Sequence, residues 1–361
     1  VNQNQYDYVA YFYAHDPLGP SGDGSDGLIS CDGVNVGSSG VSVDLGWEPQ
    51  WLLIKLRDTS GGWYIYDNMR GTAVDGNDYP FFSNQAYPDT TFVSDDHINF
   101  RANGFEITQN AVNQAFGPNT NVIFMAIRRG PMRPPTSGTE VYSTDTWGGG
   151  PPAFTSGWPV DLGLTKDVVN GGPEWYWADR LRGIPTLSSS NNLAETTGGL
   201  GTDPIFDFQD GWFDKSTTAS NYRGWMFRRA PHFFDMVAAP WADGSSNAHN
   251  LGVTPELIIK KTRTTANSWF VWTTGFANDD YLNLNSTDPT DNNLGDLWVS
   301  IDDTQFTTAN YSITTPSIYY LFASCPGVSK VGSYTGNGSS QTIDCGFTSG
   351  ARFILIKRTD I

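Results

Sequence analysis

Three groups of hydrophobic residues recur in the same order along the chain, and this repetition restricts the possible folds more than any other feature. The first group ends in Ile-Lys and reads WLLIKLRD at 51–58, LIIKKTRT at 257–264 and FILIKRTD at 353–360. The second is aromatic, as in GGWYIYD at 61–67, and the third closes the unit, as in NVIFMAIRRGP at 121–131. Hydrophobic groups repeated at a fixed interval indicate a tandem array of one structural unit.

The spacing of these groups sets the length of the unit. Lys55 and Lys260 lie 205 residues apart, Trp63 and Trp269 lie 206 apart, and Lys260 and Lys357 lie 97 apart. One unit is therefore about 100 residues, a length typical of a repeated β module. We predict three units, at 14–130, 131–231 and 232–326, of which the middle one is degenerate. Residues 1–13 are predicted to be the closing strand of a preceding unit, and residues 327–361 the opening strands of a further unit.

The hydrophobic groups alternate as half-buried strands do. Trp63 and Ile65 fall on one face of the aromatic strand, and Tyr64 and Tyr66 on the other. Turn-forming stretches such as DGND and TGNG separate the groups, and the chain has 39 Gly and 21 Pro. These patterns predict an all-β fold of tandem antiparallel β-sandwich modules, of the jelly-roll or concanavalin-like kind.

Charge and cysteine content exclude several classes of protein. The chain has 21 Lys and Arg against 38 Asp and Glu, a net charge of −17, whereas nucleic-acid binding needs clustered cations. No apolar run is long enough to span a membrane, so we expect no membrane insertion. The three cysteines, Cys31, Cys325 and Cys345, are an odd number and do not indicate a disulfide framework.

The order and the sequences of the repeated groups resemble those of a known protein family. The combination VDLGWEPQWLLIKLRD, GGWYIYDNMRG, NVIFMAIRRGPM and TSGTEVY is similar to large structural proteins of marine phages, notably phages that infect cyanobacteria. The segment GVSKVGSYTGNGSSQTIDCGFTSGARFILIKRTD at 327–360 is similar to a junction motif of the same proteins. The resemblance implies a location on the virion, in a tail fibre or another appendage, and brings no catalytic residues with it.

We therefore expect a structural subunit of a phage appendage that contributes to host attachment, with no enzymatic activity. By analogy with fibres, we expect a homo-oligomer, with a trimer as the guess, in contact with other virion proteins. One alternative is a lectin-like module that binds host-surface glycan.

Another alternative is a depolymerase of envelope polysaccharide, which would need two carboxylates across a sugar cleft. The glutamates are scattered among the units, and Glu48 and Glu256 both lie beside Pro, which indicates a turn.

Aromatic side chains are the candidate ligand contacts. Trp147 and Trp158 flank a Gly- and Pro-rich loop, while Trp175 and Trp177 lie in the aromatic strand of the middle unit. Exposed rings of this kind stack on sugars, although a single Trp more often belongs to a core. Tyr64, Tyr66 and Trp272 are further candidates on the same grounds.

Two other features have both a functional and a structural interpretation. Paired aspartates in Gly-rich loops could bind Ca²⁺ or form ordinary Asx-turns, and no EF-hand spacing is present. These aspartates are Asp23 and Asp26, Asp75 and Asp78, Asp95 and Asp96, and Asp302 and Asp303. The tails Arg70-Gly71 and Arg182-Gly183 could bind a ligand, but repetition favours arginines that lock the following loop through backbone carbonyls. The four histidines, His15, His97, His232 and His249, lack zinc-site spacing, so no metal site is predicted.

Overall fold

The structure is a computed structural model. It describes residues 7, 9–16, 19, 22, 26–70, 72–84, 95–169, 174–197, 206–212, 221–309 and 314–360. Nearly all of its regular structure is β, and every pair of neighbouring strands is antiparallel. The predicted all-β antiparallel fold is therefore confirmed.

The strands form three modules, which lie within 29–128, 142–227 and 234–322. Module 1 comprises β1 (Ile29–Val36), β2 (Val41–Asp44), β3 (Pro49–Leu56), β4 (Trp63–Asp67), β5 (Phe81–Phe82), β6 (Ile98–Arg101), β7 (Gly104–Ile107) and β8 (Thr120–Arg128). Module 2 comprises β9 (Tyr142–Thr146), β10 (Phe154–Thr155), β11 (Leu162–Asp167), β12 (Tyr176–Asp179), β13 (Leu187–Ser188), β14 (Gly211–Trp212) and β15 (Tyr222–Phe227). Module 3 comprises β16 (Phe234–Trp241), β17 (Ser246–Ala248), β18 (Leu257–Thr262), β19 (Phe270–Thr273), β20 (Leu282–Asn283), β21 (Trp298–Ile301), β22 (Gln305–Thr308) and β23 (Thr315–Phe322).

Helical turns are short. An α-helical turn, α1 (Gln109–Ala111), continues into a π-helical turn at Val112–Phe116, and a 3-10 turn covers Gly138–Glu140. The Thr108 side chain caps α1 by accepting a hydrogen bond from the Ala111 amide.

The larger sheets of all three modules share one strand order. The five-stranded sheets run β1-β8-β3-β4-β5, β9-β15-β11-β12-β13 and β16-β23-β18-β19-β20. The smaller sheets run β2-β7-β6, β10-β14 and β17-β22-β21. In each module the last strand thus lies between the first and the third, as expected of one topology used three times.

Each module encloses a core between its two sheets. In module 1, Leu52 and Ile54 from the larger sheet meet Phe105 and Ile107 from the smaller one, and all four are buried. Along β4 the buried residues are Tyr64 and Tyr66, so the predicted alternation is observed. We call this side of each larger sheet its inner face, and the opposite side its outer face.

Module 2 departs from the repeated sequence because the large side chains of its core come from the smaller sheet. A Cβ on Gly163 of β11 would lie 2.5 Å from the Trp212 ring, and one on Gly224 of β15 would lie 2.7 Å from Phe154. The rings of Phe154 and Trp212 are stacked 5.6 Å apart between these strands. The larger sheet therefore has glycine at the positions where aromatic rings of the smaller sheet fill the core.

Modules 2 and 3 also share a core between the outer faces of their larger sheets. Trp177 of module 2 lies 5.1 Å from Trp269 and 5.2 Å from Tyr320 of module 3, measured between ring centroids. Phe227 similarly meets Phe234 at 6.0 Å. These residues belong to one buried cluster that extends to Val74 of module 1. The modules therefore pack against one another through a shared hydrophobic core.

Two stretches that resemble strands of the repeat do not form strands. Described residues between 7 and 16 contain one isolated bridge, Asp16 to Ile29, and residues 323–360 contain one, Cys325 to Ser329. The described parts of 1–13 and 327–361 therefore show no strand, and the closing strand and opening strands stay predictions. In the modules, the third strand pairs with the fourth and last strands, which follow it in sequence. Among the described residues, 353–357 has no such neighbours, and the side chains of Ile354 and Ile356 are exposed.

Candidate functional site at the module junction

Carboxylates that precede the third strand of each larger sheet occupy corresponding positions. They are Glu48, Asp161 and Glu256, and each lies where the last strand of its own module ends. The Glu256 carboxylate accepts hydrogen bonds from the Ser324 amide at 2.7 Å and from the Ser324 hydroxyl. Modules 1 and 2 have arginine at the position of Ser324, namely Arg129 and Arg229.

Both of these arginines bind Glu48. Arg229 donates to the two carboxylate oxygens at 2.8 and 3.0 Å, and Arg129 Nε donates to Oε2 at 3.0 Å. A bidentate pair of this geometry is among the stronger charge-assisted interactions in proteins. Glu48 therefore joins the end of module 2 to module 1, which the interpretation of Glu48 as a turn residue missed.

Three more charged residues complete a buried network. Arg180 Nε lies 3.5 Å from Asp161 Oδ1, and Arg129 lies 3.6 Å from Asp235 Oδ1. Arg180 also donates to the Asn68 carbonyl of module 1 at 3.1 Å. The network holds three carboxylates and three guanidinium groups, so its formal charges cancel, as a buried cluster of ions requires.

The ionisation of these groups reflects their mutual attraction. Burial alone would raise the pKa of Glu48, but attraction to Arg129 and Arg229 outweighs it and holds that pKa below its ordinary value. Asp161 behaves in the same way, with Arg229 and Arg180 lowering its pKa. Burial dominates at Arg180 and lowers its pKa to about 10. Glu48 and Asp161 are thus charged at neutral pH, and their contribution to stability is lost as the pH falls through their lowered pKa values.

A cavity of about 210 Å³ lies beside the network, where all three modules meet. Module 1 contributes Phe100 and Asn103, module 2 contributes Leu181, and module 3 contributes Met236 and Asn247. Glu48 and Arg229 also line it. Its charged lining residues Glu48 and Arg229 are paired with each other.

A second ion pair follows the aromatic strand in modules 1 and 2. Arg70 Nε lies 2.7 Å from Asp67 Oδ2, and Arg182 Nε lies 2.6 Å from Asp179 Oδ2. Arg70 also donates to the Tyr79 carbonyl, and Arg182 to the Pro185 carbonyl, each at 3.2 Å. Both arginines therefore lock the following loop through backbone carbonyls, while Gly71 lies outside the described residues.

The buried copy of this pair also connects modules. The Tyr320 hydroxyl of module 3 donates to Asp179 Oδ2 at 2.7 Å, and Arg182 lies 3.6 Å from Glu195. Glu195 in turn pairs with Arg263 of module 3 at 3.1 Å. Burial alone would lower the pKa of Arg182, but attraction to Asp179, Tyr320 and Glu195 raises it above its ordinary value.

Most of the predicted ligand-binding aromatics are core residues. Trp158 and Trp177 are each 7% exposed, and their indole nitrogens donate to Thr139 O and Ser189 Oγ. Tyr64, Tyr66 and Trp272 are buried as well. Burial leaves these five rings little surface on which a sugar could stack in this structure. Aromatic residues occur on both the inner and the outer faces of these strands, so the sequence alone does not distinguish buried rings from accessible ones.

Trp147 and Trp175 are only half-buried. The Trp175 ring lies 4.7 Å from Trp225, with the Lys166 ammonium 5.8 Å from its centroid. Trp147 packs edge-on against Phe154 at 5.9 Å. The structure does not bring Trp147 and Trp175 together in one described pocket.

The aspartates of DGND and SDDH come together in module 1. The Asp78 amide donates to Asp95 O at 3.0 Å, and Asp78 Oδ2 accepts from the amides of His97 and Ile98 at 2.7 Å. Burial raises the pKa of Asp78 well above its ordinary value and that of Asp96 to about 6. Among the described residues, no three His, Cys, Asp or Glu side chains are arranged to hold a metal ion. Asp302 forms an Asx-turn with Thr304, and Asp23 lies outside the described residues.

Lys260 is a charged side chain on the inner face of its sheet, whereas Lys55, with which the 205-residue spacing aligned it, lies on the outer face. It lies in the inner core of module 3, with Nζ 3.0 Å from the Trp241 ring centroid and 5.0 Å from that of Phe270. Burial, with the neighbouring charge of Lys261, lowers its pKa well below the ordinary value. A small cavity of about 10 Å³ adjoins it.

The thiols of Cys31, Cys325 and Cys345 are free. In the part of the chain that the structure describes, no helix is long and apolar enough to cross a membrane.

Comparison with known proteins gives one match. The model of a family described as Domain of unknown function (DUF7483) matches residues 1–131 and 234–361. Modules 1 and 3 fall in the matched segments, and the departing module 2 lies between them. No curated protein and no solved structure matches the chain. Because the matched segments make up more than half of its residues, the chain belongs to the DUF7483 family.

Proposed function

We propose that the chain is a structural subunit of a phage virion appendage, such as a tail fibre, and that it contributes to attachment to the host cell. The observation that supports this proposal is the fusion of three modules of one topology into a single body. A shared apolar core and a charge-balanced buried network join the modules, so one cannot tilt without breaking several contacts. An appendage that transmits force between particle and host needs such stiffness.

The surface and the resemblance support the same role. A net charge of −17 keeps an exposed particle component soluble and separate from the phage genome. In this proposal the protein is located on the virion, and its partners are further copies of itself, other virion proteins and host-surface glycan.

The test has two parts. Antibodies against the chain, applied with a gold label to purified particles of the parent phage, should decorate one appendage in electron micrographs. Excess purified chain should then reduce adsorption of that phage to host cells. Unlabelled particles would rule out the virion role, and labelled particles with unchanged adsorption would limit the chain to a spacer.

A lectin-like role is the second candidate, and the half-exposed rings of Trp147 and Trp175 favour it. Stacking on a sugar typically needs one accessible ring face. On a host-glycan array, Trp175→Ala should reduce binding at least tenfold. Thr304→Ala, on an exposed turn of module 3, serves as the control. Binding that survives both Trp147→Ala and Trp175→Ala would eliminate this candidate.

A further inference from the structure

The outer face of the larger sheet of module 1 is apolar, and among the described residues no other module covers it. We call it the module 1 face; its central residues are Trp51, Leu53, Trp63, Ile65, Ile123 and Met125. Trp63 is 37% exposed and Ile123 44% exposed, and the other four are half-buried. Contiguous apolar side chains on one sheet face mark an interaction surface, whereas scattered ones do not.

Strand register shows that the same positions exist in the other modules. Leu53 pairs with Ile65 on one side and Met125 on the other. Leu164 of module 2 pairs with Trp177 and Trp225 in the same way. In module 3, Ile259 pairs with Val271 and Tyr320. The three outer faces are therefore built from corresponding residues, all of them apolar at the centre.

Within the chain, two of these faces cover each other. Leu164 and Trp177 of module 2 and Ile259 and Tyr320 of module 3 belong to one buried cluster. The covering partner of an outer face is thus another outer face of the same kind. Among the modules that the structure describes, only module 1 retains an uncovered one.

Charge does not oppose an apolar contact at the module 1 face. Two charged side chains lie beside its central residues. Lys55, paired with Trp63, turns Nζ to the carbonyls of Leu56 and Gly61 at 2.8 and 3.2 Å. Asp67, paired with Trp51, is neutralised by Arg70.

We propose that the module 1 face packs against the module 1 face of a second copy of this chain, related by a two-fold axis. The second copy is the partner that fits, because its modules 2 and 3 have already covered each other's faces. A two-fold contact brings identical patches together, so an apolar face is its own complement. Five strands about 4.8 Å apart and about 20 Å long give roughly 500 Å² on each side, enough for a specific but concentration-dependent contact.

The first experiment measures mass in solution. Sedimentation of the intact chain should give a dimer that dissociates on dilution. Ile123→Glu, on an exposed side chain at the centre of the face, should raise the dissociation constant at least 100-fold. Val299→Glu is the matched control, because Val299 is also an exposed strand residue, 58% accessible, but lies on the smaller sheet of module 3. Unchanged thermal unfolding of both variants would show that they are folded.

Native cysteines provide a second readout. Cys31 pairs with Met125 on the module 1 face, and Cys345 lies far along the chain with similar exposure. Dimerisation should slow maleimide labelling of Cys31 at high protein concentration but not that of Cys345. Ile123→Glu should abolish this protection. A chain that stays monomeric, forms a trimer, or dimerises equally well as Ile123→Glu would overturn the proposal, whatever the location of the protein on a particle.

Discussion

Modules 1 and 2 contain the same Asp-x-x-Arg turn in two different environments. In module 1 the side chains of Arg70 and Asp67 are 21% and 15% exposed, and Arg70 stacks on Phe81 at 3.6 Å. In module 2 the side chains of Arg182 and Asp179 are both fully buried, and Tyr320 of module 3 completes the pair. The two salt bridges have nearly the same length, so distance alone does not reveal their different roles.

The difference follows from what covers the outer face. Asp67 and Asp179 end the fourth strand of their sheets on that face, and only Asp179 has another module above it. The sequence motif therefore determines the turn, while packing between modules determines its contribution to stability. A repeated motif in a modular protein connects two modules only where they pack against each other.

The comparison predicts that Arg182→Ala is far more destabilising than Arg70→Ala. Removing Arg182 leaves the Asp179 carboxylate buried without its cation, a change that costs about 3–5 kcal/mol when a buried pair is broken. Removing Arg70 leaves a carboxylate that water can reach, so about 1 kcal/mol or less is expected. Urea unfolding of the two variants and the wild type measures both values.

Two further variants strengthen this test. Tyr320→Phe removes the contact that only the buried copy has and should cost about 1–2 kcal/mol. Phe81→Leu, which keeps an apolar group under Arg70, should change little. Equal losses for Arg182→Ala and Arg70→Ala would show that the covering module adds nothing to the pair.

Much of this architecture is readable from the sequence. Alternation in WYIYD predicts which residues share a face, and the recurrence of the hydrophobic groups predicts repeated β modules, because local patterns encode strands. The sequence does not reveal which face is covered. Trp63 and Trp175 remain accessible while Trp177 is buried, since burial on the outer face depends on a module distant in sequence. The network around Glu48 was missed for the same reason, as its arginines come from the ends of two modules.

The register of the Ile-Lys strand shows a more local limit. The repeat gives 205 residues between Lys55 and Lys260 but 206 between the matching tryptophans. Cross-strand pairing settles the offset at 206, because Ile54 pairs with Tyr64 as Lys260 pairs with Phe270. Lys55 therefore corresponds to Lys261, and each donates to the next carbonyl along the strand, at 2.8 and 2.9 Å. A one-residue shift exchanges the two faces of a strand.

This register predicts that Lys260→Ile stabilises the protein. The substitution installs the residue that module 1 has at the same core position, Ile54, and removes a buried amine held against aromatic rings. Burying an ionisable amine in an apolar core costs free energy, so we expect its replacement to gain about 2 kcal/mol. Lys55→Ile is the control on the outer face and should change the unfolding free energy by less than about 0.5 kcal/mol. A loss of stability in Lys260→Ile would mean that the amine makes an interaction the core depends on.

The smallest expected effect concerns the outer-face lysines and depends on pH. Burial, followed by repulsion from Arg182, lowers the pKa of Lys261 to about 8, although Glu195 opposes the shift. A base with a depressed pKa binds fewer protons in the folded state than in the unfolded chain, so its contribution makes stability rise with pH between 8 and its ordinary value of 10.5. The slope from this one group is at most about 1.4 kcal/mol per pH unit. Lys261→Met should remove that slope from unfolding curves measured at pH 8 to 9.5, while Lys55→Met, at the corresponding uncovered position, should leave it in place. A slope that survives in Lys261→Met, or disappears in Lys55→Met, would show that covering the outer face does not distinguish the two lysines.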